Sequence, residues 1–418
     1  MGKVKDLGFS KERLQRIERF VQTKYVEPGR IPCAQIAIAR DGETVYEAVL
    51  GLADVERQVP LKDDAVFRIY SMTKPIASVA LMTLVEEGLI ALDDPVTRHI
   101  PAWRDLGVYA AGVGPFMTTP LARPMQVVDL LRHTSGLTYG FQNRTNVDAA
   151  YRKLKVGETH GGPDLEGFVG ELAKVPLEFS PGEAWNYSVS TDVVGYLVQK
   201  VAGKPLGQVL QERIFDPLKM VDTGFFVRED QQDRFTACYS ASPTGPMDLQ
   251  AKPTGTLTPN DDPKKSPYLK PPKLESGGGG LVSTTADYLR FSNMLANGGE
   301  LDGARILSPM TLRLMTSNHL PGGQDLTQMS RSLFSESTYA GIGFGLGFAV
   351  VFDPPKTLIP GSKGEFYWGG AASTAFWVDP VEHISVVFMT QLMPSSAWPI
   401  RRELRTLVYS ALTESRAS

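Results

Sequence analysis

The chain has 418 residues, 42% apolar and 21% charged, proportions of a soluble globular protein that exclude global disorder, a collagen-like repeat and a coiled coil. Its 43 Lys and Arg nearly balance 46 Asp and Glu, so there is no electrostatic reason to expect nucleic acid or an anionic membrane as partner. Two cysteines, Cys33 and Cys238, are too few for a disulfide framework or a four-ligand zinc site, and the opening MGKVKDLGFSKERLQ lacks the apolar core of a secretory signal, so a cytoplasmic location is expected.

In chain order, Ser10 to Tyr25 predicts an amphipathic helix, with Ser10 as N-cap and Leu14, Ile17, Phe20 and Val21 on one stripe. CAQIAIAR and TVYEAVLG flank Asp41-Gly42, which predicts an antiparallel hairpin. From Thr73 to about Val221 helical patterns dominate, clearest over Ser78 to Glu87 and Asp192 to Ala202. The apolar run near Pro75 to Val85 is too short to cross a bilayer. Residues 242–276 hold eight prolines and predict an irregular crossing or a lid. Phe344 to Val351, Ser373 to Val378 and Ile384 to Thr390 read as strands, and a last helix runs from Ile400 to about Leu412. The layout predicts an α/β fold: a central antiparallel sheet shared by both ends of the chain and flanked by helices, plus a mostly helical second part. Residues 1–70 with 276–418 form the first domain and 71–275 the second, with the site in the cleft between them.

Three segments offer chemistry. Ser71-Met72-Thr73-Lys74 follows FRIY and opens a helical run, so Lys74 lies one turn from the Ser71 hydroxyl. Serine attacks a carbonyl only when a base removes its proton, and a helix N-terminus adds N–H groups for a developing oxyanion. A surface N-cap serine with a solvated lysine fits the same tetrapeptide. Tyr187, in Trp185-Asn186-Tyr187-Ser188 after the turn Ser180-Pro181-Gly182-Glu183, is placed to serve as a general base or as a packing tyrosine. Tyr367-Trp368-Gly369-Gly370-Ala371 lies between two predicted strands, and its paired glycines mark a close backbone approach or an ordinary turn.

Together these segments resemble the serine β-lactamase and penicillin-binding-protein superfamily, and most closely its carboxylesterases known as family VIII. FRIYSMTKPIASVALMTLVEEGLIALDDPV, LLRHTSGL, FSPGEAWNYS, GGGGLVSTTADYLRFSNML and YWGG are similar to that family's segments, so the resemblance covers most of the chain. It implies that Ser71 is the acylated nucleophile, Lys74 its partner and Tyr187 the proton carrier. It also implies that the N–H groups of Ser71 and Ala371 form the oxyanion hole, with Trp368, Gly369 and Gly370 bordering it. Which of Lys74 and Tyr187 is formally the base stays open.

Two departures bear on the substrate. The β-lactamases resembled here carry Lys-Thr-Gly and Tyr-x-Asn, where this chain has Trp368-Gly369-Gly370 and Tyr187-Ser188-Val189. An indole brings one N–H and no charge, so a cleft for neutral, apolar acyl esters is expected, with weak cephalosporin cleavage still open to the same nucleophile. Tyr139 and Phe141 either line the acyl pocket or simply pack. His133 is read as a structural hydrogen-bonding residue, since no Gly-x-Ser-x-Gly pentapeptide exists in the chain. Gly277 to Gly280, without a following Gly-Lys-Ser/Thr, read as a close backbone approach before a helix start. The five histidines show no ligand spacing, so neither metal nor cofactor is expected, and the partner is a small ester. The expectation is thus a serine carboxylesterase acting on short-to-medium acyl esters. An acyltransferase on the same scaffold, a true β-lactamase or D,D-peptidase, and a non-catalytic scaffold protein are the alternatives.

Overall fold

The computed structural model describes residues 7–331 and 339–417. Asp41 and Gly42 both take positive φ, 54° and 75°, the backbone of the two-residue turns that match strand twist. They join β1 (Cys33–Arg40) to β2 (Glu43–Asp54) as the sequence predicts. With β3 (Val59–Pro60), β4 (Ile342–Phe344), β5 (Ala349–Val351), β6 (Phe366–Gly369), β7 (Ala375–Asp379) and β8 (Ile384–Met389), they form one eight-stranded sheet. Its order is β4-β5-β6-β7-β8-β1-β2-β3, and every neighbouring pair is antiparallel. The sheet joins both ends of the chain because β1 pairs with β8, Gln35 opposite Met389 and Arg40 opposite Ile384.

Every residue of β1 is buried, as a strand covered on both faces must be. Ala34, Ile36 and Ile38 join a core with Leu14, Ile17 and Val21 of α1 (Lys11–Val21) and with Leu404 and Val408 near the C-terminus. Cys33, Ala37 and Ala39 join the other core, which reaches the mostly helical middle of the chain. The long helices of that middle are α2 (Thr73–Glu86) and α3 (Ser190–Ala202). α2 is buried from Thr73 through Leu84, so its apolar residues are spread around the helix rather than confined to one stripe. The same core takes in Tyr288, Phe291 and Met294 of α4 (Thr285–Ala296), so sheet and helical part share one continuous apolar interior. α5 (Ile400–Ser410) closes the outer face beside α1.

Four local expectations need correction. Phe344 to Val351 is not one strand but the hairpin β4–β5. Gly347 turns the chain at φ 96°, and a Cβ on Gly345 would stand 2.0 Å from the Met315 carbonyl. The run Tyr367 to Gly369 is not a connection between strands but most of β6. The first helix leaves α geometry after Val21 and finishes as a π turn, Gln22–Val26, which buries Tyr25 with its hydroxyl on Glu403. The middle segment also holds a small hairpin, Val108–Ala111 with Met117–Thr119, outside the helical pattern.

Arg40, fully buried at the end of β1, locks the sheet to the chain ends. It donates to the Glu382 carboxylate at 2.9 Å, to the Glu382 carbonyl at 3.0 Å and to the Leu7 carbonyl at 2.9 Å. Removing one partner of a buried ion pair strands the other. Arg40→Met is therefore expected to cost about 3–5 kcal/mol in urea unfolding, and a loss below about 1 kcal/mol would contradict this role for the pair.

Candidate active site

A cavity of about 640 Å³ opens between the sheet and the helical part. Ser71, Tyr139, Phe141, Tyr187 and the run Trp368 to Ala371 all line it, so every residue predicted for the site except Lys74 reaches one cavity. Lys74 lies behind that wall, 1% exposed. Met247 and Leu249 of the proline-rich segment also border the cavity, where the Leu249 carbonyl is tied to Ser396 Oγ at 2.9 Å.

Ser71 sits in a 3₁₀ turn, Tyr70–Met72, that runs directly into α2, and it is half-buried. Tyr70 before it holds φ 42°, a left-handed conformation that costs about 1 kcal/mol or more for a residue with a side chain. One helical turn on, Lys74 Nζ lies 3.1 Å from Ser71 Oγ. The same ammonium donates to Tyr139 Oη at 2.9 Å and to the Gly278 carbonyl at 2.6 Å, and it stands 4.4 Å from the Tyr187 ring centroid. Trp368 Nε1 donates to Tyr187 Oη at 3.2 Å.

The sequence offered pocket lining or packing for Tyr139, and the structure gives its hydroxyl a direct bond to Lys74 while its ring stacks on Phe141 at 4.7 Å. Burial pushes the Tyr139 phenol well above its usual range, and the nearby Asp192 and Tyr187 add to this. Asp192 was legible only as a helix start. It is buried in the first turn of α3 and accepts from the Gly278 N–H at 3.0 Å and from the Ser276 hydroxyl. Burial raises its carboxyl, against the lowering effects of Ser276, Lys74 and Gly278. The glycine run approaches closely, as predicted: a Cβ on Gly277 would stand 2.7 Å from the Thr191 carbonyl, and one on Gly278 2.5 Å from Asp192 Oδ2. Thr284 then caps α4 by accepting from Asp287 N.

The paired glycines of the third motif have the same kind of cause. A Cβ on Gly370 would lie 2.4 Å from the Ile69 carbonyl, which brings the Ala371 turn against the chain two residues before Ser71. Among the described residues no group of three or more His, Cys, Asp or Glu is arranged to hold a metal ion. No helix among them is long and apolar enough to cross a membrane.

His133 is buried, bonded through Nδ1 to Ser188 Oγ at 3.2 Å and packed 5.0 Å from the Tyr187 ring centroid. It thus supports the wall that carries Tyr187, in keeping with the structural reading. Burial, and then the charge on Lys74, hold its imidazole well below the usual range.

The Beta-lactamase family model matches residues 17–410. Protein Rv1367c of Mycobacterium tuberculosis is 38% identical over 349 residues, 82% of each chain. Esterase EstB of Burkholderia gladioli is 31% identical over 395 residues, 91% of each. Among solved structures, EstCE1, described as a hydrolase with promiscuous acyltransferase activity, superposes with a TM-score of 0.78 at 27% identity, covering 97% of this chain and 99% of that one.

The buried imidazole predicts a pH signature. Below about pH 6.5 the unfolded chain binds a proton that the folded chain refuses, so stability falls as pH falls, by at most about 1.4 kcal/mol per pH unit from this group. His133→Asn should flatten that slope between pH 7 and pH 5 in urea titrations. Identical slopes in wild type and variant would contradict it.

Proposed function

The chain belongs to the beta-lactamase family of serine hydrolases, and we propose that within it this protein is a carboxylesterase that cleaves short-to-medium acyl esters through an acyl-Ser71 intermediate. The observation that carries this reading is Lys74 Nζ at 3.1 Å from Ser71 Oγ on the wall of an aromatic-rich cavity.

In the proposed reaction Ser71 Oγ attacks the ester carbonyl while its proton passes to the Tyr187–Lys74 pair. The carbonyl oxygen becomes an oxyanion held by the N–H groups of Ser71 and Ala371. The carbon–alkoxy bond then breaks, and the alcohol leaves with the proton returned by the same pair. Water repeats the sequence on the acyl-enzyme, releasing the acid and restoring Ser71. Trp368 enters this scheme by positioning. Its indole N–H occupies one acceptor site of Tyr187 Oη, which orients the phenol within the cleft. No cofactor takes part. A cytoplasmic location, supported by the free thiols Cys33 and Cys238, belongs to the proposal. The division into 1–70 with 276–418 and 71–275, with the cleft between, belongs to it as well.

The name given to EstCE1 favours one further reading, transfer of the acyl group to an alcohol in place of water. Adding a candidate acceptor alcohol to a p-nitrophenyl ester assay separates the two, because transfer yields a new ester and hydrolysis a free acid.

Ser71→Ala should lower turnover by roughly 10⁴-fold or more with the fold intact. Intact-mass analysis after a phosphonate inhibitor should place the adduct on Ser71, and an adduct on another serine would reject the assignment.

Substrate charge gives a second expectation. Trp368 stands where β-lactam-cleaving relatives carry a carboxylate-binding lysine, and a charged hydrogen bond supplies about 1.5–3 kcal/mol, or roughly 10–150-fold. Wild-type kcat/KM should therefore be far higher for p-nitrophenyl butyrate than for a penicillin. A preference for the penicillin would replace the esterase with a β-lactamase.

A further inference from the structure

We propose that Arg401, in the first turn of α5, is the positioning residue of the oxyanion hole: it fixes the peptide plane that presents the Ala371 N–H. The inference rests on the esterase reading above and adds to it a residue that neither the motifs nor the sequence pattern marks.

The turn from β6 to β7 spans Gly370 to Thr374. Its own bonds are Gly370 N–H to the Thr374 carbonyl at 2.9 Å and Ser373 N–H to the Gly370 carbonyl at 3.0 Å. Ser373 holds φ 70° there, a conformation that a serine adopts only when its surroundings impose it. Arg401 Nη2 reaches in from α5 and donates to the carbonyl of Gly370 at 2.7 Å and to that of Thr374 at 2.8 Å, clamping both ends of the turn.

The Gly370 carbonyl and the Ala371 N–H belong to the same peptide group. A trans peptide is planar, with its C=O and N–H pointing in opposite directions. Holding the oxygen on Arg401 therefore sets the direction of the N–H. A cationic donor on the oxygen also polarises the amide and strengthens the N–H as a donor on the far side.

Two further observations show the molecule built around this contact. A Cβ on Gly369 would stand 2.7 Å from Cζ and Nη2 of Arg401, so the first glycine of the pair is the space that the guanidinium fills. Arg401 also sits where the helix macrodipole disfavours a cation, and among the described residues no carboxylate lies within ion-pair distance to offset that. Among the described residues its buried Nε has no hydrogen-bond partner. Surface electrostatics does not account for a guanidinium at this position, whereas the two carbonyls do.

The test compares an oxygen ester with its thionoester, in which C=S replaces C=O, across wild type, Arg401→Lys and Arg401→Ala. Sulfur is a weak hydrogen-bond acceptor, so thionoester turnover draws little on the oxyanion hole. With the hole misaligned, Arg401→Ala should lose roughly 10- to 100-fold in kcat on the oxygen ester with KM nearly unchanged, and less than about 3-fold on the thionoester, below the cost of deleting a donor outright. Arg401→Lys, which keeps a cationic donor, should fall between; if Arg401→Ala does not fold, Arg401→Lys carries the comparison by the same ratio. Equal losses on both substrates, or no loss on either, would overturn the positioning role while leaving Ser71-dependent hydrolysis standing. A wild type without Ser71-dependent hydrolysis overturns the esterase reading and this inference with it.

Discussion

Placing one ammonium group out of water organises the cleft. A lysine as buried as Lys74 costs several kcal/mol unless each of its three N–H groups finds an acceptor. The three acceptors come from three separate stretches of chain: Ser71 Oγ from the turn before α2, Tyr139 Oη from the loop after the HTSG segment, and the Gly278 carbonyl from the glycine run. Satisfying the charge therefore assembles the site. The glycine run is held in turn by Asp192, whose side chain accepts the N–H of the same Gly278 whose carbonyl accepts an N–H of Lys74. The ammonium and the Asp192 carboxyl thus bind opposite sides of one residue, Gly278, with no ion pair between them among the described residues. A direct salt bridge would occupy the ammonium, whereas this arrangement leaves it on the serine.

The aromatic groups serve the same end by excluding water. Tyr187 lies between Lys74 and Trp368, taking the cation on its ring and the indole N–H on its oxygen, while His133 packs against it, held neutral by its own burial. In such a setting small changes of hydrogen bonding carry more energy than at a wet surface, so bonds to backbone carbonyls count as much as the side chains that meet the substrate. Arg401 belongs to this second group: it touches the frame rather than the reacting atoms.

Much of this was legible before any coordinates. The Asp41-Gly42 hairpin, the terminal helices and the sheet shared by both ends follow from short-range turn chemistry and apolar periodicity, which depend on neighbours in sequence. Ser71 and Lys74 were legible because the chemistry needs them one helical turn apart. The remainder was not, because it depends on contacts between distant segments. Nothing near Tyr139 states that its hydroxyl meets Lys74, and nothing near Arg401 states that it reaches back to Gly370 and Thr374. The β4–β5 hairpin was missed for a related reason. FGLGF alternates like a strand, and only the crowding of Gly345 against Met315 and of Gly347 against Ser78 gives those glycines their meaning.

The pairing of β1 with β8 also sets a timetable. Arg40 and Glu382, which lock that pairing, are 342 positions apart. A ribosome delivers β1, the nucleophile and its lysine long before the strand that must lie beside them. Throughout that interval one side of β1, buried along its whole length in the finished fold, is an open edge available to any passing strand. Translation that stalls after the helical middle leaves a chain carrying all three catalytic side chains proposed here and a sticky, unfinished sheet. Yield in a cell is then governed by how quickly the last strands emerge and by what shields the edge until they do, an economy of synthesis separate from the chemistry at Ser71.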